Sequence, residues 1–181
     1  MENPRTQNRM GNSRTQKMIL SALFIAMIFV ATKINIKLPI GNGGLVHLGT
    51  AFLFIIAVNF GAKYGTISGA VGMTLFDVLS GWAAWAPTTF LARLVMGYIV
   101  GKMNEKRKEG HIIIMLLSFA ISGAFMIIIY YIGNAITFGN WVAPIESIPG
   151  DITQIVIGTL VALPATKAIE RINILKKYRW E

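Results

Sequence analysis

The chain has 181 residues, 54% of them hydrophobic and only 14% charged, with a mean hydropathy of +0.59. That composition excludes disorder and an ordinary water-soluble domain, whose surface would need far more charge. The absence of cysteine excludes disulfide scaffolds, thiolate metal sites and cysteine nucleophiles, and in so apolar a chain the net charge of +9 reads as a topology signal rather than a nucleic-acid footprint.

Residues 1–16 are polar, contain Pro4 and Gly11, and read as an N-terminal tail; residues 17–181 read as one membrane domain. Six apolar segments follow, at 18–36, 45–61, 65–80, 87–103, 111–135 and 152–169. A bilayer crossing takes about 20 helical residues, so 45–61 and 65–80 are short and need shielding by neighbours. The first segment follows a basic leader, but no small-residue cleavage site precedes a polar mature chain, so it reads as a span and not a signal peptide.

Six spans put the N-terminus, loops 2–3 and 4–5 and the C-terminus on one side. That side holds Arg5, Arg9, Arg14, Lys17, Lys63, Lys102, Lys106, Arg107, Lys108, Lys167, Arg171, Lys176, Lys177 and Arg179. Loops 3–4 and 5–6 hold no basic residue. The positive-inside rule then makes both termini cytoplasmic. The expected fold is an all-α membrane protein with six transmembrane helices.

Segment 1 carries Ala22 and Ala26, a small-xxx-small pair on one helix face. The link to segment 2 contains Pro39, Gly41, Gly43 and Gly44, which end the helix, and the donors Lys33, Asn35, Asn42 and His47. It reads as a connector or as a lid over a pocket, with a short extended piece near 34–38. His47 is either a helix-cap histidine or a ligand contact. Gly61-Ala-Lys-Tyr-Gly65 reads as a tight turn, and Gly65, Gly69 and Gly72 as sites of close helix packing.

Asp77 and Arg93 are ionisable groups inside apolar segments 3 and 4. Such groups are costly in a membrane, so they are either paired with each other or in contact with a ligand. Trp82 and Trp85 in loop 3–4 suit an interfacial aromatic belt or the walls of a pocket for a flat ring. Loop 5–6 adds Asn134, Trp141 and Asp151, with Gln154 one turn into segment 6; Asp151, after Pro149-Gly150, also suits an N-cap. Polar and aromatic groups thus gather at the outer face, which suggests capture of a small molecule from outside. Walker A, HExxH and GxSxG motifs are absent, and no internal repeat makes the chain an alternating-access carrier by itself.

Several stretches, in this order, resemble the substrate-binding S components of energy-coupling factor (ECF) transporters. They are Ala22-x-x-x-Ala26, Val46-His-Leu-Gly-Thr50, Phe60-Gly-Ala-Lys-Tyr-Gly65, Asp77-Val-Leu-Ser-Gly81 with Trp85-Ala-Pro87, and Pro149-Gly-Asp-Ile-Thr-Gln154. The resemblance implies a bacterial plasma-membrane protein of six helices with an outer pocket lidded by loop 1–2. It implies a vitamin ligand, a transmembrane T component docking on Ala22 and Ala26, and two cytosolic ATPases. ATP would be used by those partners, with no cofactor, metal or catalytic residue in this chain and no nucleic-acid partner. The branch looks most like the hydroxymethylpyrimidine or pyridoxine binders, with riboflavin, thiamine, pantothenate or folate as alternative ligands and a lipid-directed membrane enzyme as the reading from a different class. By loop position and residue type, the candidate binding residues are Lys33, Asn35, His47, Asp77, Trp82, Trp85, Arg93, Asn134, Trp141, Asp151 and Gln154.

Overall fold

The computed structural model describes residues 14–37, 45–108 and 111–180, without the side chain of Lys176. Pro39, Gly41, Asn42, Gly43 and Gly44, the middle of the expected lid, lie outside the described residues. Six helices carry the fold: α1 (Arg14–Lys33), α2 (Gly49–Phe60), α3 (Ala62–Leu79), α4 (Ala86–Met103), α5 (Ile112–Phe138) and α6 (Ile148–Glu170). The protein is an all-α membrane protein. Four stretches, 14–33, 83–103, 112–138 and 143–170, are long and apolar enough to cross a bilayer.

The short α2 is the centre of the bundle. Its Leu53, Phe54, Ile56, Ala57 and Val58 are at most 1% exposed. A helix that is apolar all round is one buried on all sides, and the ring of Phe54 stacks on Phe119 of α5 at 4.0 Å. Twelve residues rise only about 18 Å, well short of a bilayer core. Other parts of the chain cover both ends of α2.

Its N-terminal end meets a hairpin. Strands β1 (Asn35–Lys37) and β2 (Leu45–His47) pair antiparallel, with Ile36 opposite Val46. The extended piece expected near 34–38 is therefore present, but segment 2 is helical only from Gly49; its first residues are strand. The C-terminal end of α2 meets the chain's own tail. The turn expected over 61–65 is a single residue, Gly61 at φ 101°, and Ala62 already belongs to α3. Trp180 donates its backbone N–H to the Phe60 carbonyl at 2.8 Å, and Arg179 reaches the carbonyls of Val58 (3.3 Å) and Asn104 (3.0 Å). These donors satisfy carbonyls that a helix end leaves open.

Helices α3 and α4 pack closely through glycine. A Cβ on Gly97 would stand 2.5 Å from the Gly65 carbonyl oxygen, and one on Gly101 would stand 2.2 Å from Ala62 Cα. Gly65, Gly69 and Gly72 lie against Ala57, Leu53 and the α1 residues Ile25 and Ile28, as expected of packing glycines. Lipid is as apolar as the side chains, so association in a membrane depends on this fit. Ala22 and Ala26 face the other way and are exposed, while α1 buries Phe24, Ile28, Ala31 and Thr32.

Two ends of the bundle differ in chemistry. One end gathers Lys17 and Lys63, both about 5.5 Å from the Trp180 ring, and an Arg107–Glu170 ion pair. The start of α1 and the C-terminal segment therefore meet there. The other end holds the hairpin, the 80–85 loop and the short 3-10 helix Ala143–Ser147 that leads into α6.

Candidate functional site

A cavity of about 540 Å³ opens at the hairpin end. Its wall there comes from β2 (Leu45, His47), α3 (Asp77), the loop tryptophans Trp82 and Trp85, α4 (Thr89, Arg93), α5 (Tyr130, Asn134, Phe138), Asn140, the 143–147 turn, and α6 (Asp151, Gln154).

One side of the wall is aromatic. Trp82 and Trp85 meet edge to face at 5.2 Å, and Trp85 leans on Phe138 at 5.0 Å. Gly81, at φ 86°, turns the chain out of α3, and the Trp82 N–H donates to the Asp77 carbonyl at 2.8 Å, which holds Trp82 against the helix end. Pro87 in the first turn of α4 then suits a position that has no intrahelical partner for an N–H.

The rest of the lining includes a polar network. The Gln154 amide donates to Thr50 Oγ1 at 2.6 Å and lies 3.0 Å from His47 Nε2. An amide NH₂ only donates, so Nε2 of His47 accepts and the imidazole is neutral there. Arg93, 2% exposed, donates to the same Thr50 hydroxyl at 3.2 Å and to the Met126 thioether at 3.0 Å, with its guanidinium 5.5 Å from the Tyr130 ring. Tyr130 donates its hydroxyl to Thr89 at 2.9 Å, and Thr89 hydrogen-bonds the Asp77 carboxyl. A buried cation, two carboxyls and an aromatic wall around one cavity can orient a flat polar ring.

The family model described as "ECF-type riboflavin transporter, S component" matches residues 12–171. The chain belongs to that family. This S component is also 24% identical over 171 residues to the "Thiamine precursor transporter HmpT" of Lactococcus lactis subsp. cremoris (strain MG1363), an alignment covering 94% of this chain and 97% of that protein. The family is one of transport subunits and not of enzymes, in keeping with the resemblance seen in the residues.

Of the eleven candidate residues in this S component, the cavity brings together His47, Asp77, Trp82, Trp85, Arg93, Asn134, Asp151 and Gln154. Three stand elsewhere. Lys33 donates to Ser80 Oγ at 2.7 Å and tethers the end of α1 to that of α3. Asn35 donates to the carbonyls of Thr32 and Lys33, both at 3.0 Å, closing the end of α1. Trp141 is 57% exposed, and its carbonyl accepts from the Tyr131 hydroxyl at 2.9 Å.

Two capping roles are also replaced. Helix α6 begins at Ile148, so Ser147 is at the N-cap position and Asp151 stands inside the first turn. Leu48, not His47, precedes α2, and the His47 side chain turns to Gln154. Of the two readings of Asp77 and Arg93, a direct pair is not seen among the described residues; Thr89 holds the Asp77 carboxyl.

Thr89, Tyr130, Phe138 and Asn140 were not among the candidates. A signal for the first three exists. Thr89 is one turn before Arg93, and Tyr130, Asn134 and Phe138 follow at spacings of four, so each pair shares a helix face. Asn140 shows only as a turn residue; its Oδ1 accepts from the N–H groups of Val142 and Ala143.

Proposed function

We propose that this S component captures a small heteroaromatic vitamin or vitamin precursor at the hairpin end, with a hydroxymethylpyrimidine or pyridoxine ring favoured. The observation that carries the reading is the cavity itself. Aromatic rings (Trp82, Trp85, Phe138) and hydrogen-bonding groups (His47, Asp77, Asn134, Asp151, Gln154) line it together, at the end opposite the basic residues. The name of the Lactococcus relative, a thiamine precursor transporter, favours the pyrimidine.

In this reading all six helices cross the membrane, the basic end with both termini is cytoplasmic, and the cavity faces outward. The hairpin β1–β2 carries the base of a lid. The exposed Ala22/Ala26 face of α1 is the contact for a T component, since small residues permit close helix approach. Two cytosolic ATPases of the same assembly hydrolyse ATP, and this chain holds no cofactor of its own.

A tryptophan-fluorescence titration of the detergent-purified protein tests the reading. Hydroxymethylpyrimidine, pyridoxine, thiamine, riboflavin, pantothenate and folate form the panel. Saturable quenching by hydroxymethylpyrimidine or pyridoxine is expected. A response to riboflavin alone would move the ligand to the one in the family's description, and no response to any would overturn the reading.

A further inference from the structure

Resting on the reading just given, the unfilled hydrogen-bonding capacity of the cavity points further. We infer that the site selects an unphosphorylated ring rich in N–H and O–H donors, with Asp77 as the acceptor that reads it, and rejects the phosphate ester of the same ring.

Donor groups of three residues of the wall are engaged within the protein. Arg93 gives its Nη1 to Thr50 and Met126 and lies over Tyr130. Gln154 gives its amide to Thr50 and His47. Tyr130 gives its hydroxyl to Thr89, which leaves the Thr89 proton for Asp77. Two acceptors of the wall have room for a donor. Asp77 Oδ2 and Asn134 Oδ1 are buried and have no hydrogen-bond partner. Asp151 adds a second carboxyl to the wall.

An acceptor buried without a donor costs about 1–3 kcal/mol, and more when it is charged. A ligand that supplies N–H or O–H groups recovers that cost. An amino group, a protonated ring nitrogen or a hydroxymethyl group does so. A phosphate monoester group brings further acceptors and about two negative charges, set against two carboxyls and a guanidinium whose Nη1 is already held by Thr50 and Met126. Like-charge juxtaposition of this kind costs several kcal/mol. The fixed direction of the Tyr130–Thr89–Asp77 chain makes Asp77 specific: its first oxygen is held, and its second is left for the ligand.

The full-length protein in detergent is titrated with 4-amino-5-hydroxymethyl-2-methylpyrimidine and its monophosphate, and with pyridoxamine and its phosphate. Each free ring is expected to bind about a hundredfold or more tightly than its ester. Asp77→Asn is expected to weaken the free rings at least about tenfold and to narrow the gap to the esters. Thr89→Val, which keeps the cavity charge but removes the orienting hydroxyl, is expected to weaken the free rings less and to leave the gap open. Because Thr89→Val tests the same chain by a neutral change, it decides the matter if Asp77→Asn does not fold. Esters that bind as tightly as the free rings, or free-ring affinity unmoved by both variants, would overturn the inference while leaving the vitamin reading intact. Saturable binding of neither form would overturn the vitamin reading and this inference with it.

Discussion

His47 and Gln154 are 107 residues apart in the chain, and their side chains meet 3.0 Å apart in the wall of the cavity. The contact ties β2 to the first turns of α6 and fixes the protonation state of the imidazole. His47 stands outside the helices; burial, and then the field of Arg93, hold its pKa well below the ordinary 6.5. Below about pH 6.5 the unfolded chain takes up a proton at His47 that the folded chain resists. The stability this group contributes is complete above that pH and is lost as pH falls toward the folded pKa. We expect the thermal midpoint of the purified protein to drop between about pH 7 and pH 5. His47→Gln keeps an amide in reach of Gln154 and should flatten that slope, by up to about 1.4 kcal/mol per pH unit. Equal slopes for the two proteins would remove His47 as the titrating group.

The four tryptophans divide by position. Trp82 and Trp85 line the cavity, Trp141 is exposed beside it, and Trp180 is at the far end. Ligand-induced quenching should survive Trp141→Phe unchanged. Trp85→Phe should remove most of it and cost about 1 kcal/mol of binding, the worth of one aromatic contact. A signal that disappears with Trp141 would place the ligand outside the cavity.

The tail over Gly61 gives a stability prediction. Gly61 has φ 101°, and a Cβ there would stand 2.5 Å from the Trp180 carbonyl oxygen. Gly61→Ala meets both a backbone penalty of about 1–2 kcal/mol and that clash. Trp180→Ala removes the edge contact to Tyr64 at 4.9 Å and weakens the cover of the α2 end. Each is expected to cost about 2 kcal/mol in thermal unfolding, and the pair less than the sum, because both act on one junction. Strict additivity would show that the tail and the junction are independent.

On α1, Ala22 and Ala26 are exposed and neither lines the cavity. Ala22→Trp or Ala26→Trp should leave ligand affinity unchanged and abolish co-purification with a T component and uptake. Parallel loss of affinity and uptake would assign the face to the fold and not to docking.

Much of the cavity's polar lining is legible in the sequence because ionisable groups in apolar segments are rare enough to notice. Asp77 and Arg93 stand out on that ground alone, and both line the cavity. Residue type misled where a polar group had local work. Lys33 and Asn35 look like ligand donors but close and tether the end of α1. Tyr130 and Phe138 share a helix face with Asn134, but only the packing of α5 shows that this face lines the cavity.

The sequence by itself determined the membrane class, the separation of basic from aromatic loops and the glycines at which helices approach. These follow from hydropathy and residue size, which are local quantities. Only the tertiary structure decided that α2, the shortest of the six helices, is the buried centre, and that residues 173–180 return to close its end. It also decided that Thr50 receives both Arg93 and Gln154. Those contacts join residues 43 to 121 positions apart. Helical periodicity says which residues share a face, and the packing of six helices says which faces meet.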